Sequence, residues 1–91
     1  MIQIHINIEQ VKAAIADVNY NNKGVTNRVK TLFKDSDLTK EQFAELLGYT
    51  VTSLDAKFYN SRKWNCEDIL KVATVFGVSC DFILKGEQLN V

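Results

Sequence analysis

The sequence predicts an all-α domain with a β-strand at its N-terminus, and two observations lead to this prediction. From Val25 onward, apolar residues recur every three or four positions in five short segments, which is the period of amphipathic helices. Residues that cap helices and glycines that end them separate these segments, and the chain contains no proline. The start differs, because Ile2, Ile4, Ile6 and Ile8 alternate with polar residues, as in a strand with one buried face.

One extra helix is expected between the strand and the five segments. Asn7 is a suitable N-cap, and apolar residues follow at helical spacing from Ile8 to Val18. The stretch NYNNKG at 19–24 then has the composition of a loop. We therefore divide the chain into an extension (1–22), a main body (23–87) and a short tail (88–91).

The five segments of the main body have readable boundaries. Thr39, Thr50, Asn65 and Ser79 each precede an apolar run in the position of an N-cap, and Gly48 ends the second segment. Residues at helical spacing should face the core, namely Val25, Val29, Leu32, Phe33, Phe43, Leu46, Leu47, Val51, Leu54, Phe58, Ile69, Leu70, Val72, Ala73, Phe76, Phe82, Ile83 and Leu84.

Composition indicates an ordinary globular protein. The hydrophobic fraction is 46% and the charged fraction 24%, and no apolar run approaches the roughly 20 residues of a membrane helix. The start lacks the pattern of a signal peptide, so we expect a cytoplasmic protein without membrane contact. Eleven basic residues balance eleven acidic ones, and net charge alone therefore gives no argument for nucleic acid.

The chain lacks the residue patterns of an enzyme or a metal site. His5 is the only histidine, and Cys66 and Cys80 are fourteen positions apart without a CxxC pair. No paired carboxylates, nucleophile–base pair or phosphate-binding loop is evident. We therefore expect no catalysis, cofactor, metal or small-molecule ligand, and we expect both thiols to be reduced and buried.

About two thirds of the chain resembles a known family of DNA-binding domains. The stretch LTKEQFAELLGYTVTSLDAKFYNSRKWNCEDILKVATVFGVSCDFILKGE (38–87) is similar to the Cro and phage-repressor, XRE-like, helix-turn-helix family. Phe43 and Ala44 match the first helix of that motif, Gly48 the turn, and Leu54 the anchor of the second helix. The resemblance implies a five-helix lambda-repressor-like fold. It also implies sequence-specific binding of double-stranded DNA by a repressor-like transcription regulator of bacterial or phage origin.

The resemblance also implies which residues meet DNA. The second motif helix, at about 50–59, would enter the major groove and read base edges with Thr50, Val51, Thr52, Asp55, Ala56 and Tyr59. Methyl groups of the first three suit thymine, whereas Asp55 would repel phosphate although it can accept a hydrogen bond from cytosine. Phosphate contacts are expected at the start of the preceding helix, from Thr39 and Lys40.

A basic turn after the second motif helix favours nucleic acid independently of the resemblance. No acid occurs from Ala56 to Asn65, where the expected phosphate contacts are Lys57, Asn60, Arg62 and Lys63. Asn60 can adopt the left-handed conformation that glycine often supplies. The alternative is that the cations are only solvated and that Trp64 packs in the core. Arg28 and Lys30 either approach DNA or only solvate their helix.

Two functional alternatives follow from these residues. Neutral net charge and Asp55 favour a helix-turn-helix scaffold that binds a protein, such as an antitoxin-like partner. A single positive face with Lys40, Lys57, Arg62 and Lys63 would instead favour DNA.

The N-terminal strand lies outside the resemblance and is expected to serve assembly. It could pair with the tail at 88–91, or with the same strand of a second copy across a twofold axis. We favour a homodimer, because Ile2, Ile4, Ile6 and Ile8 form a large apolar face for a short tail to cover.

Overall fold

Six helices form the part of the chain that the computed structural model describes, which is residues 4–16 and 21–86. They are α1 (Ile8–Ala16), α2 (Asn22–Lys34), α3 (Lys40–Leu47), α4 (Val51–Phe58), α5 (Cys66–Phe76) and α6 (Cys80–Lys85). No strand occurs within these residues. The predicted all-α class is therefore confirmed, with five helices in the main body and one in the extension.

The predicted helix caps account for where the helices begin. The side chains of Thr39, Thr50, Asn65 and Ser79 each accept a hydrogen bond from a backbone N–H three residues ahead. These bonds satisfy donors that have no partner within the helix. Gly48 ends α3 with φ 81°, a left-handed conformation that costs glycine no steric penalty.

The core lies between α2 and the four helices that follow it. Its aromatic centre stacks Phe33 on Phe43 with ring centroids 5.3 Å apart, and Trp64 packs against Phe58 at 6.1 Å. The other buried apolar residues are Val25, Val29, Ala44, Leu47, Leu54, Ile69, Val72, Ala73 and Ile83. This set confirms most of the predicted core, and it places Trp64 there by packing.

Two leucines and both cysteines depart from the predicted burial. Leu46 and Leu70 are exposed, because they lie at the outer edge of the apolar stripes of α3 and α5. Cys66 is exposed at the first position of α5, and Cys80 is half-buried at the first position of α6. Both thiols are free, as predicted, but neither is fully buried.

The N-terminal prediction is partly wrong. Residues 4–7 form neither helix nor strand, and Ile8 begins α1, so the predicted strand is not seen. A strand needs a partner for its backbone groups, and the described residues contain none. The loop predicted at 19–24 also ends earlier than expected, because α2 begins at Asn22. Asn21 is the N-cap of α2, and its side chain accepts a hydrogen bond from the backbone N–H of Gly24. The tail at 88–91 lies outside the described residues.

Arg28 has a structural role, since it fastens α6 to α2. Its Nε donates to the carbonyl oxygen of Ile83 at 2.7 Å, and its Nη2 donates to that of Leu84 at 2.8 Å. Both carbonyls belong to the last turn of α6, where acceptors lack partners within the helix. Of the two predicted roles for Arg28, contact with DNA and solvation of its helix, neither describes this arrangement.

Candidate nucleic-acid interface

Helices α3 and α4 form a pair joined by a turn of three residues. The chain leaves α3 at Gly48, passes Tyr49 and enters α4 behind Thr50, whose hydroxyl accepts from the backbone N–H of Ser53 at 3.1 Å. Ala44 of α3 and Leu54 of α4 are both buried, so the two helices share one core. Each helix has eight residues, and one side of α4 remains outside the core.

The predicted base-reading residues mostly share the outer side of α4. Thr52, Asp55, Ala56 and Tyr59 follow at spacings of three and four, which places them on one helix face. Thr52 and Tyr59 are exposed, and Asp55 and Ala56 are half-buried. The remaining two predicted residues differ, since Thr50 is the exposed cap and Val51 packs partly against the core.

An ion pair at the edge of this face links α3 to α4. Lys40 Nζ lies 2.9 Å from Asp55 Oδ1, and both side chains are partly exposed. The hydrogen bond and charge of Asp55 raise the pKa of Lys40 above its ordinary value, so Lys40 stays positive at neutral pH. The one acid on the outer face of α4 is therefore balanced by a neighbouring cation. Thr39, the other predicted residue here, is the exposed cap of α3.

Lys57 does not lie where a phosphate contact requires it, and this prediction is wrong. Its side chain is only 5% exposed, and its Nζ lies 2.6 Å from Asp68 Oδ2 and 3.0 Å from the carbonyl oxygen of Lys63. The reason is its register, because residue 57 follows Leu54 by three and shares the buried face of α4. Lys57 thus joins the end of α4 to the first turn of α5.

Asn60 shapes the turn after α4. It has the predicted left-handed conformation, with φ 62°. Its side-chain oxygen accepts from Thr26 Oγ1 at 2.6 Å and from Asn22 Nδ2 at 2.9 Å, so the turn is fastened to the start of α2. The oxygen thereby fixes the position of the turn, and the predicted phosphate contact of Asn60 would use its Nδ2 group as the donor.

Besides Lys40, four cations lie near the C-terminal end of α4. Arg62 and Lys63 are exposed on the turn fastened by Asn60. Lys30 Nζ lies 5.7 Å from the ring centroid of Tyr59, and Lys34 follows one helical turn later on α2. No contact was predicted for Lys34, although α2 carries four cations and no acid, and that asymmetry is visible in the sequence.

A shallow cavity of about 200 Å³ lies between α2, α3 and α4 on the same side. Its lining combines cations with aromatic rings and one acid: Lys30, Phe33, Lys34, Lys40, Asp55, Phe58 and Tyr59. Three of these seven side chains are positive and one is negative, so the concave surface beside α4 favours anions.

Asp68 is held as a carboxylate behind this surface. Burial alone would raise its pKa, but hydrogen bonds from Lys57, Tyr49 and the backbone of Asn65 outweigh burial and hold the pKa below its ordinary value. The Tyr49 hydroxyl donates at 2.5 Å and the Asn65 N–H at 2.9 Å. Tyr49 is therefore a packing residue of the turn, and its hydroxyl binds Asp68.

This lowered pKa predicts a specific loss of stability in acid. Because the folded pKa of Asp68 lies below its unfolded value of about 4, its contribution is complete above about pH 5 and disappears as pH falls through the folded pKa. We expect wild type to exceed Asp68→Asn in urea midpoint at pH 6, and this difference to narrow steadily towards pH 2. The control is Asp37→Asn, at an exposed position, which should differ little from wild type throughout. A wild-type advantage over Asp68→Asn that stays constant from pH 6 to 2 would contradict the prediction.

The predicted dimer residues are exposed where the structure describes them. Ile4, Ile6 and Ile8 are at least 64% exposed, and Ile2 lies outside the described residues. Val11 and Ile15 of α1 are also exposed, and no residue of α1 is buried. An apolar surface is thus present at the N-terminus, and α1 carries three of its five described residues.

Comparison with known proteins adds no relative: no family model, curated protein or solved structure matches this chain. Across residues 4–16 and 21–86, no group of three metal-binding side chains is found, and no helix has the length and apolar character of a membrane crossing.

Proposed function

We propose that this chain is a helix-turn-helix protein of the Cro and phage-repressor type. It binds double-stranded DNA sequence-specifically through α4 and acts as a transcription regulator. The observation that carries the proposal is a group of cations beside an exposed helix face, formed by Lys30, Lys34, Lys40, Arg62 and Lys63. Cations at the rim of a reading helix can bind the phosphates that border a groove.

The dimensions of α4 suit the major groove. Eight helical residues span about 12 Å, and the major groove of B-form DNA is about 12 Å wide. With the outer face of α4 against the base edges, the methyl group of Thr52 fits a thymine methyl and Tyr59 lies near the groove edge. A phosphate next to Lys40 would compete with Asp55 for its ammonium and free the Asp55 carboxylate to accept from cytosine.

Binding should involve two copies on an inverted repeat. None of the residues on the outer face of α4 is an arginine or glutamine that makes paired hydrogen bonds to a base, so a single half-site is read weakly. Two linked half-sites raise the affinity without any new type of contact. The exposed apolar residues at the N-terminus and on α5 belong to elements other than α4, and they favour a protein contact in addition to DNA, not instead of it.

The proposal is tested by selecting bound sequences from random duplexes at two salt concentrations. We expect one enriched motif with twofold symmetry, and an affinity that falls steeply with salt because cation–phosphate contacts release counterions. Recovery of unenriched sequences at both concentrations would overturn the proposal.

A further inference from the structure

Helix α1 has an apolar face that remains exposed among the described residues. Ile8, Val11 and Ile15 share this face and are 64%, 40% and 62% exposed. A helix of nine residues is too short to be stable alone in water, since isolated helices are marginal below about 12–15 residues. A stable α1 therefore needs an apolar surface against which to pack.

The main body offers an apolar groove that none of residues 4–16 and 21–86 fills. The groove has a volume of about 320 Å³, lies between α5 and α6, and is lined by Trp64, Cys66, Ile69, Leu70, Cys80 and Leu84. No charged residue lines it, and Leu70 in its wall is 54% exposed. Aliphatic side chains of a helix are the complementary chemistry for such a surface.

We infer that α1 of one copy docks into the groove between α5 and α6 of a second copy, and that the exchange is reciprocal. The choice of a second copy rests on the proposed function, because weak readers on α4 require two linked half-sites. None of the residues that line the groove lies on α2, α3 or α4, so a helix docked there does not use the outer face of α4. Both copies can therefore present α4 to the same duplex.

The contact area favours exchange over a simple pair of α1 helices. A nine-residue helix is about 13 Å long and 10 Å wide, so the half of its surface that faces a partner measures about 200 Å², and one contact buries on the order of 400 Å² over both surfaces. Stable interfaces bury about 1,200–2,000 Å². A single α1–α1 pair stays far below this range, whereas two reciprocal contacts double the buried area and the twofold symmetry closes the assembly.

The first test measures mass. Val11→Asp places a carboxylate in the centre of the docking face, and Ala13→Asp places the same charge on the opposite face of α1. Neither residue is buried within its own chain, so both variants should keep the wild-type helical content in far-ultraviolet circular dichroism. In sedimentation equilibrium we expect dimers for wild type and Ala13→Asp, and a dissociation constant at least about tenfold higher for Val11→Asp. A monomeric wild type, or equal dimerisation of Val11→Asp, overturns the inference.

The second test uses the native thiol in the groove. In a Cys80→Ser background, Val11→Cys should form a disulfide with Cys66 under mild oxidation, and Ala13→Cys should not. Mass spectrometry of mixed isotope-labelled and unlabelled chains then shows whether residues 11 and 66 come from different copies. A disulfide within one chain means that α1 fills its own groove, and this result overturns the exchange.

The two proposals fail in different ways. A dimer that contains the 11–66 link but binds no duplex would overturn DNA binding and leave this interface in place. A monomer that still selects a DNA sequence would overturn the interface alone.

Discussion

Replacing Asp68 by alanine is expected to destabilise the protein by about 3–5 kcal/mol, because it leaves the Lys57 ammonium buried without its counter-ion. A domain of this length has a total stability of about 5–14 kcal/mol, so one substitution removes a large part of it. The carboxylate is 2% exposed and accepts from Lys57, Tyr49 and the backbone of Asn65. All three donors lose their acceptor in Asp68→Ala.

A double-mutant cycle separates the ion pair from the other contacts of Asp68. Lys57→Met alone should cost about 2–3 kcal/mol, since the carboxylate keeps two donors but loses the charged one. The double variant Lys57→Met/Asp68→Asn should lose clearly less stability than Lys57→Met and Asp68→Asn lose in sum, because no unpaired charge remains. Urea unfolding followed by the fluorescence of Trp64, the single tryptophan and a buried one, measures each free energy of unfolding.

A matched exposed pair provides the control. Glu67 lies one residue before Asp68 and pairs with Lys71 at 3.0 Å, but the Glu67 side chain is largely exposed. Glu67→Gln should change the stability by no more than about 0.5 kcal/mol. If Asp68→Ala costs as little as Glu67→Gln, or if the cycle is additive, the Lys57–Asp68 pair is not the strong contact described above.

This ion pair also explains what the sequence could and could not predict. The caps at Thr39, Thr50, Asn65 and Ser79 are local, so the residue type and its spacing to the next apolar run were sufficient. The role of Lys57 depends on Asp68, eleven positions away on another helix, and the sequence offered only its spacing from Leu54 as a warning. Lys57 was predicted to be exposed because it is charged, but tertiary packing buries it beside Asp68.

Long-range contacts limited the prediction of the candidate site in the same way. Asn60 was expected to be left-handed because its residue type allows it, but its bonds to Asn22 and Thr26 span 38 and 34 positions. Lys34 became part of the cation-rich side only once α2 was seen to pack beside α4. The prediction of an N-terminal strand was wrong at residues 4–8 for a related reason, since alternating apolar residues form a strand only where a partner strand exists.

Reversing two charges at the rim of α4 is expected to weaken DNA binding by about 100-fold or more at low salt. Lys40→Glu and Arg62→Glu act at two different places, because Lys40 lies beside Asp55 of α4 and Arg62 lies on the turn that follows the helix. Each change removes one phosphate contact and adds a repulsion. The slope of log affinity against log salt should fall by about two, one for each lost contact.

The control makes the same change in net charge elsewhere. Lys12→Glu with Lys85→Glu also replaces two exposed cations by acids, but these residues lie on α1 and α6. If affinity depended on net charge alone, both double variants would lose it equally. If α4 and its rim form the contact, the control should keep the wild-type salt slope and lose affinity only modestly through long-range repulsion, which salt screens within about 10 Å.

The base-reading residues should behave differently from the rim, and this contrast identifies the orientation of α4. Thr52→Ala should leave the salt slope unchanged, because Thr52 carries no charge, while relaxing the preference at one position of the selected motif. Asp55→Asn should tighten binding to duplexes that lack the contacted cytosine and steepen the salt slope, since it removes the one acid from the outer face and frees Lys40 for phosphate. A Thr52→Ala variant that changes the salt slope would mean that α4 approaches the duplex with a face other than the one defined by Thr52, Asp55 and Tyr59.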